Sequence, residues 1–528
     1  MLARVRDEGT STKARSMTRL CVPLFVTDVT QLRRDAVLAA EAGADMLELR
    51  IDELTEPTQL PDLSLPYILT CRPANEGGQS ELSVEDRLNL LDAMSAGRAT
   101  YIDIELQTYQ KRPDVVDLTK GGRRIIISTH EFSGRPPRLH NWLVEMAKQE
   151  ASVHKIVWMA RSIRDNLEAF ELLREPLRPT IALCMGEHGL ISRILAKKFG
   201  AFLTFASLNN QSGTAPGQIS IDDLKNIYRW DKLVASTKVY GVIASPVMHS
   251  MSPAIHNAAF DAVGHDGVYV PMLVNPGYES FKAWMESALA FEPLDLSGLS
   301  ITLPHKENAL RYLQEKGAKI EPLAQSIGAV NTIIIERNGG LHLHGLNTDY
   351  AAILDSITDK LNINREQLAG YRIAVIGAGG TGRTAVAALA YYGATIVVYN
   401  RTVERAQQLA AEFDGNRGKV VAMPIDRLCD SCCQIYLNCT SVGMYPNVDA
   451  SPLGDTPPKI TSDTVVFDTV YNPMETKLLQ HANSRGAMTI SGVEMFVRQA
   501  AAQFEAWTNQ SAPTQIMRRV VEGRLAST

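Results

Sequence analysis

YRIAVIGAGGTGRTAVAALAYYGATIVVYNRT, residues 371–402, decides how the rest of the chain is read. The apolar run RIAVI ends in a glycine cluster, apolar residues then recur at helical spacing through TAVAALAYYG, and a second apolar run, ATIVVYN, follows. Strand, glycine turn, helix and strand in that order is the setting in which Gly377, Ala378, Gly379, Gly380 and Gly382 form a dinucleotide site, because a backbone with few Cβ atoms can approach a pyrophosphate at a helix N-terminus. The second strand closes on YNRTVER instead of an acid. A carboxylate there would accept from ribose hydroxyls and repel a phosphate, whereas Asn400, Arg401, Thr402 and Arg405 can donate to one, so NADP(H) is expected over NAD.

Upstream of this unit the chain reads as a further α/β stretch from KVYGVI at residue 238. MHSMSPAIHN (248–257) places two hydroxyls, Ser250 and Ser252, beside a proline, and SITLPHKENAL (300–310), AVNTI (329–333) and GLNTDYAA (345–352) add Lys306, Asn331 and Asp349. Serines in a turn are usually capping groups, and a lone Lys/Asp pair is usually structural. As an ordered set they suggest a site. Downstream, SGVEMFVRQAAAQFEAWT (491–508) has the spacing of an amphipathic helix able to pack back on the preceding domain.

Farther out, eight apolar runs precede residue 210: LCVPLFV (20–26), MLELRID (46–52), PYILTCR (66–72), TYIDIEL (100–106), RRIIISTH (123–130), VHKIVWMA (153–160), PTIALCMG (179–186) and AFLTFAS (201–207). Segments such as TQLRRDAVLAAEAGA between them have helical periodicity. Eight strands alternating with helices fit a closed (β/α)8 barrel, whose chemistry sits at the C-terminal strand ends. Glu48, Arg50, Arg72, Glu76, His130 and Lys155 fall on that rim, with Arg193, Thr214 and Gln218 after the last two strands. A lysine amid Val153, Ile156, Val157 and Trp158 is ordinarily one that snorkels to solvent. Crowded by arginines it becomes a neutral nucleophile for a carbonyl, and the arginines clamp a carboxylate, so an anionic ketone is the expected substrate. His130 is suited to move protons, with Glu76 orienting it.

The motifs ELRID, TCRPANEGG, STHEF, the strand lysine and TAPGQ together resemble type I 3-dehydroquinate dehydratase over roughly residues 17–230. The resemblance implies a TIM barrel in which Lys155 forms a Schiff base with the C3 ketone of 3-dehydroquinate and His130 removes a C2 proton, giving 3-dehydroshikimate. Glu131 and Thr214 stand where that family more often has aspartate and serine. The serine, LPHK, VNT and NTD motifs, with NCTSVGM and DTVYNP, resemble shikimate dehydrogenase from about residue 238 to 525. That likeness implies a substrate subdomain, a Rossmann NADP-binding subdomain and a catalytic Lys306/Asp349 pair. It also implies that Ser250 and Ser252 bind the substrate carboxylate, with Thr302, Asn331, Asp349, Tyr471 and Gln499 around the ring hydroxyls. Ser300 and Ala352 depart from the usual asparagine and glycine.

The expected organisation is therefore a disordered extension (1–16, with Met17 a candidate start), the barrel (17–230), a linker (231–237), a substrate subdomain (238–349), a nucleotide subdomain (350–488) and a C-terminal helical segment (489–528) that returns to the substrate subdomain. The product of the first implied reaction is the substrate of the second, so a bifunctional shikimate-pathway enzyme is expected. A quinate-selective dehydrogenase half, or one half kept as a non-catalytic module, are the alternatives.

Composition agrees with this reading. The chain has 528 residues, 45% hydrophobic and 21% charged, and a formal net charge of -5, which gives no electrostatic footprint for nucleic acid. No apolar run reaches the roughly 18 residues needed to cross a bilayer. The first 16 residues have no signal-peptide core and carry Asp7 and Glu8. Seven cysteines in so long a chain read as reduced thiols of a cytoplasmic protein. The cluster Cys429, Cys432, Cys433 and Cys439 has no zinc-ligand spacing, so no metal is expected. Small-molecule substrates are the expected partners, and the sequence carries no signature of an oligomeric state.

Overall fold

The computed structural model describes residues 17–95, 99–119, 124–209, 217–248, 250–415 and 417–526. Thr214 and the extension expected at residues 1–16 lie outside the described residues. The chain divides into two compact units, Met1–Thr237 and Lys238–Thr528.

In the first unit β1 (Arg19–Phe25), β2 (Met46–Arg50), β3 (Tyr67–Thr70), β4 (Tyr101–Glu105), β5 (Arg124–Glu131), β6 (Val153–Met159), β7 (Thr180–Met185) and β8 (Leu203–Phe205) form one parallel sheet in the order β7-β6-β5-β4-β3-β2-β1-β8. The barrel is near-closed: β8 has only three residues, and beside it Phe202 N–H donates to Thr180 O at 2.8 Å. Side chains at i, i+2 and i+4 of a strand share a face. The lowest inward layer, Cys21, Met46, Ile68, Tyr101, Ile126, Val153, Ile181 and Leu203, belongs to one buried apolar cluster. Fully burying each of its large side chains is worth about 1.5–3 kcal/mol, and together they exclude water from the barrel floor. Two residues farther along the strands come Glu48, Thr70, Asp103, Ser128 and Lys155, and two farther again Arg50, Arg72, Glu105 and His130. Register aligns the layers: Ser128 stands opposite both Glu105 and Lys155, and Thr70 opposite both Arg50 and Asp103.

The second unit has two six-stranded sheets. The first contains β9 (Lys238–Ala244), β10 (Gly267–Leu273), β11 (Leu296–Ile301), β12 (Lys319–Ile320), β13 (Thr332–Glu336) and β14 (His342–Leu346) in the order β10-β9-β11-β13-β14-β12. It is mixed, because β13 runs antiparallel to both β11 and β14. The second contains β15 (Arg372–Ile376), β16 (Thr395–Asn400), β17 (Lys419–Pro424), β18 (Ile435–Asn438), β19 (Val465–Asp468) and β20 (Met488–Ile490), all parallel, in the order β17-β16-β15-β18-β19-β20. Strand order reverses between β15 and β18, the point at which open α/β sheets leave a crevice for a ligand. The helix Gly492–Thr508 buries Val493, Val497, Phe504 and Trp507 in one core with Tyr240 and Tyr269 of the first sheet and Phe260 of the helix Ser252–Val263. Those four positions follow the three- and four-residue spacing of one helix face.

Candidate active sites

In the barrel, Glu48, Arg50, Arg72, Glu76, His130, Lys155, Arg193 and Gln218 line one cavity of about 130 Å³, so every described barrel residue named from the sequence is brought together. Lys155 Nζ donates to Glu48 Oε1 and to Asp103 Oδ2, each at 3.0 Å, and lies 4.7 Å from the Phe205 ring centroid. Its immediate partners are thus two carboxylates, not the arginines expected to crowd it. Asp103 also accepts from Ser128 Oγ at 2.5 Å and sits 2.7 Å from Arg72 Nη2, an ion pair that lies off the hydrogen-bond line. Burial alone would raise the Asp103 carboxyl, but Arg72 and Lys155 outweigh it and hold the group far below the carboxylate range.

The arginines divide their tasks. Arg72 Nη1 donates to Glu105 Oε1 (3.1 Å) and Ser128 Oγ (2.7 Å), and Glu105 is shared with Arg87 at 3.0 Å. Arg50 is held by Asp52 through Nε (3.2 Å) and Nη2 (2.5 Å). Arg193 is fully buried, its Nε has no hydrogen-bond partner, and no carboxylate is within ion-pair distance of it among the described residues. Burial lowers its guanidinium to about 10. An unpaired buried cation lining a cavity calls for an anion from outside, whereas Arg50 and Arg72 already face carboxylates.

His130 Nδ1 is 3.0 Å from Glu76 Oε2. Burial raises the Glu76 carboxyl to about 7, with Arg72 opposing the shift. Burial, then the charges of Arg72 and Lys155, hold His130 well below its ordinary range, so the imidazole is neutral near pH 7 and able to accept a proton. Asp103 and Glu105 were missed in the sequence. Their signal is two acids at i and i+2 of a strand whose five residues are all buried, YIDIE.

In the second unit, Ser250, Ser252, Thr302, Lys306, Asn331, Asp349, Tyr471 and Gln499 line a cavity of about 410 Å³, together with Ser300, Thr381 and Gln503. Lys306 opens the helix Lys306–Glu315, and Asp349 lies in the first turn of the helix Thr348–Leu361, capped by Asn347. Lys306 Nζ donates to Asp349 Oδ2 at 2.6 Å. Tyr471 stacks on Phe496 with centroids 5.0 Å apart and planes 13° off parallel. Gln503, also missed, lies one helical turn after Gln499, where an i, i+4 reading would have found it.

The glycine turn fits a pyrophosphate. Gly377 has φ +108° and a Cβ there would come 2.7 Å from Thr440 Cγ2, while a Cβ on Gly382 would meet Gly377 O at 2.0 Å. Gly379 and Gly380 have open space where a Cβ would stand, at the start of the helix Gly380–Tyr391. Asn400 Oδ1 accepts Ala378 N–H (3.1 Å) and one Nδ2 hydrogen goes to Thr402 O (2.8 Å), so Asn400 holds the turn and keeps one amide hydrogen. Arg401, Thr402 and Arg405 are exposed beside it. Neither arginine has an ion-pair partner among the described residues. Cys429 and Cys432 are exposed, Cys433 is buried and Cys439 intermediate. No group of three or more His, Cys, Asp or Glu is placed to hold a metal among the described residues. No helix among them is long and apolar enough to cross a membrane.

Comparison with known families gives four matches: type I 3-dehydroquinase over residues 20–234, shikimate dehydrogenase substrate binding domain over 242–333, shikimate/quinate 5-dehydrogenase over 359–440, and shikimate 5'-dehydrogenase C-terminal domain over 492–522. The chain is 38% identical over 518 residues to a chloroplastic bifunctional 3-dehydroquinate dehydratase/shikimate dehydrogenase of Arabidopsis thaliana, covering 94% of this chain and 83% of that protein. It is 38% identical over 288 residues to a shikimate dehydrogenase (NADP(+)) of Methanosarcina mazei, 54% of this chain and 97% of that one. A crystal structure of a shikimate dehydrogenase in complex with NADP+ aligns with 55% of this chain and 96% of its own, at 36% identity and a TM-score of 0.49. With its barrel matched by one family, its second unit by the other, and a relative that joins both over nearly its whole length, the chain belongs to the bifunctional 3-dehydroquinate dehydratase/shikimate dehydrogenase family.

Proposed function

We propose that the barrel dehydrates 3-dehydroquinate to 3-dehydroshikimate and that the second unit reduces this product to shikimate with NADPH. Lys155 Nζ attacks the C3 ketone, and loss of water gives an imine whose protonated form is an electron sink. His130, neutral and with Nδ1–H directed at Glu76, takes the C2 proton through Nε2. The electron pair moves toward the imine to form an enamine, and its return expels the C1 hydroxyl as water, for which the protonated His130 supplies the proton. Hydrolysis of the imine then frees Lys155. Glu48 and Asp103 fix Nζ at the attack position, and Arg193 pairs with the substrate carboxylate.

In the second cavity NADPH, when bound, supplies the hydride. Gly377 to Gly382 receive its pyrophosphate, and Arg401, Thr402 and Arg405 the 2'-phosphate, while Asn400 braces the turn. Lys306 stabilises the charge that grows on the ketone oxygen and donates the proton, and Asp349 orients its ammonium. Ser250 and Ser252 hold the carboxylate, with Thr302, Asn331, Tyr471 and Gln499 around the ring hydroxyls.

The observation that carries this reading is that one chain holds both a Lys155/His130 cavity and a Lys306/Asp349 cavity, whose chemistries are consecutive. Free cysteines at Cys21, Cys71, Cys184 and Cys433, all buried, suit a reducing compartment, and we read the chain as cytoplasmic. Borohydride added with 3-dehydroquinate should leave a stable adduct on Lys155, and shikimate should reduce NADP+ in a Lys306-dependent reaction. Absence of the adduct, or undiminished NADP+ reduction by Lys306→Ala, would contradict the corresponding half.

A further inference from the structure

Tyr269 lies on β10, fully buried, and does not line the dehydrogenase cavity. Its backbone is clamped by Asn257, which donates to Tyr269 O and accepts from Tyr269 N, both at 2.8 Å. Its ring stacks on His256 with centroids 4.4 Å apart. The hydroxyl donates to Ser300 Oγ at 2.7 Å and lies beside the Ser252 hydroxyl. Ser300 Oγ donates to Gln503 Oε1 at 2.8 Å, and Gln503 Nε2 donates to Thr332 Oγ1 at 3.0 Å and to Asn331 O at 3.3 Å. Thr332 Oγ1 in turn donates to Asn331 Oδ1 at 2.7 Å.

The direction of this chain is fixed by backbone groups. The Asn331 carbonyl can only accept, so the Gln503 atom beside it is the NH2 and the amide oxygen faces Ser300. Ser300 has one hydrogen and must give it to that oxygen, which leaves Tyr269 as the donor. At the far end Thr348 N–H donates to Asn331 Oδ1 at 2.8 Å, so Thr332 must donate there too. Asn331 Oδ1 is then saturated. Its Nδ2 uses one hydrogen on Thr348 Oγ1 at 3.1 Å and keeps the other, and Ser300 offers the cavity a lone pair but no hydrogen. Burial keeps the phenol protonated by raising its pKa well above the usual range.

We infer that Tyr269 is a positioning residue for the dehydrogenase reaction: its hydroxyl donates to Ser300, whose own hydrogen is committed to Gln503, and so holds Ser300 toward the substrate as an acceptor, beside Asn331 as a donor. The ring-hydroxyl oxygen beside Asn331 must therefore accept a hydrogen bond, and a substrate hydroxyl facing Ser300 must donate one. Without the phenol hydroxyl, Ser300 loses one of its two anchors and can turn its hydrogen from Gln503 into the cavity, which weakens the match to the substrate hydroxyl that faces it.

The inference rests on the dehydrogenase reading, which NADP+ reduction by the wild-type chain with shikimate tests separately. The experiment is a kinetic cycle on the full chain with Tyr269→Phe, Ser300→Ala and the double variant, varying shikimate and NADP+ in turn. Tyr269→Phe keeps the stacked ring, and Ser300→Ala breaks the next link while keeping the phenol. Each single variant should raise KM for shikimate about 3- to 10-fold, a change of the size of one net hydrogen bond, with KM for NADP+ within about twofold. The double variant should be no worse than the weaker single, because both changes cut one chain. An active wild type with unchanged KM for shikimate in Tyr269→Phe, a parallel rise in both KM values, or multiplying effects in the double variant would overturn the inference.

Discussion

Replacing Glu76 by glutamine tests how the barrel sets the protonation of its base. The Glu76 carboxyl titrates at about 7, lifted by burial from its usual 4.5, and its Oε2 is 3.0 Å from His130 Nδ1. His130 titrates well below this range, so the imidazole stays neutral while Glu76 changes charge. Ionised Glu76 accepts Nδ1–H and leaves the Nε2 lone pair for the substrate proton. Protonated Glu76 donates to Nδ1, and the ring hydrogen moves to Nε2, which then has no lone pair to accept with. The ionised fraction falls about tenfold per pH unit below 7, to about 1% at pH 5, so kcat/KM for dehydration should fall about 100-fold between pH 8 and pH 5. In Glu76→Gln the amide oxygen accepts Nδ1–H at every pH. The plateau should drop about 10- to 100-fold, since a neutral amide does not stabilise the imidazolium, but the acid limb should flatten to within about threefold. Initial rates followed by the ultraviolet absorbance of the conjugated product measure both. An identical acid limb in wild type and variant would refute the reasoning. Stability supplies an independent sign. The folded-state value lies above the unfolded one, so the contribution of this carboxyl is present below about pH 4.5 and lost as pH rises through about 7. The variant should gain up to about 3 kcal/mol over wild type at pH 8 relative to pH 4.

Asp103→Asn removes the charge that faces both Lys155 and Arg72 and should lower the unfolding free energy of the barrel by about 3–5 kcal/mol at pH 7, measured in urea. Because the Asp103 carboxyl is held far below its usual range, that difference should shrink as pH falls below about 4. Arg401→Ala should raise KM for NADP+ about 10-fold or more while leaving activity with NAD unchanged, as expected for loss of a charged hydrogen bond to the 2'-phosphate. Gly298→Ala would place a Cβ 2.5 Å from Trp507 Cδ1, against a ring whose Nε1 donates to Ile333 O. It should destabilise the second unit by about 1–3 kcal/mol, read from its thermal midpoint.

The eight barrel strands were legible because parallel strands buried on both faces leave uninterrupted apolar runs, and a lysine inside one of them stands out. The partners of that lysine were harder to read. Glu48 was picked for its place on the rim, but Asp103 reaches Lys155 only because β4, β5 and β6 are adjacent and in register, a pairing that no single strand encodes. The arginines were legible as a cluster but not in their separate tasks: Asp52 occupies Arg50 from two residues away on the same strand end, and Glu105 reaches Arg72 from the neighbouring strand. In the second unit the glycine turn and Lys306 with Asp349 could be named from motifs. The engagement of Asn400 with Ala378 could not, because it depends on how closely two loops of the parallel sheet approach. The mixed order of the first sheet was likewise hidden: the short runs TIIIE and HLHGL do not say which strands they pair with or in which direction.

The most direct test of the central claim is to give the purified chain 3-dehydroquinate and NADPH, with no other enzyme, and to follow NADPH consumption and shikimate formation together. Both should proceed in equal amounts, preceded by a lag in which 3-dehydroshikimate appears. NADPH left untouched while 3-dehydroshikimate accumulates would contradict the dehydrogenase half, and no change in either would contradict the barrel half.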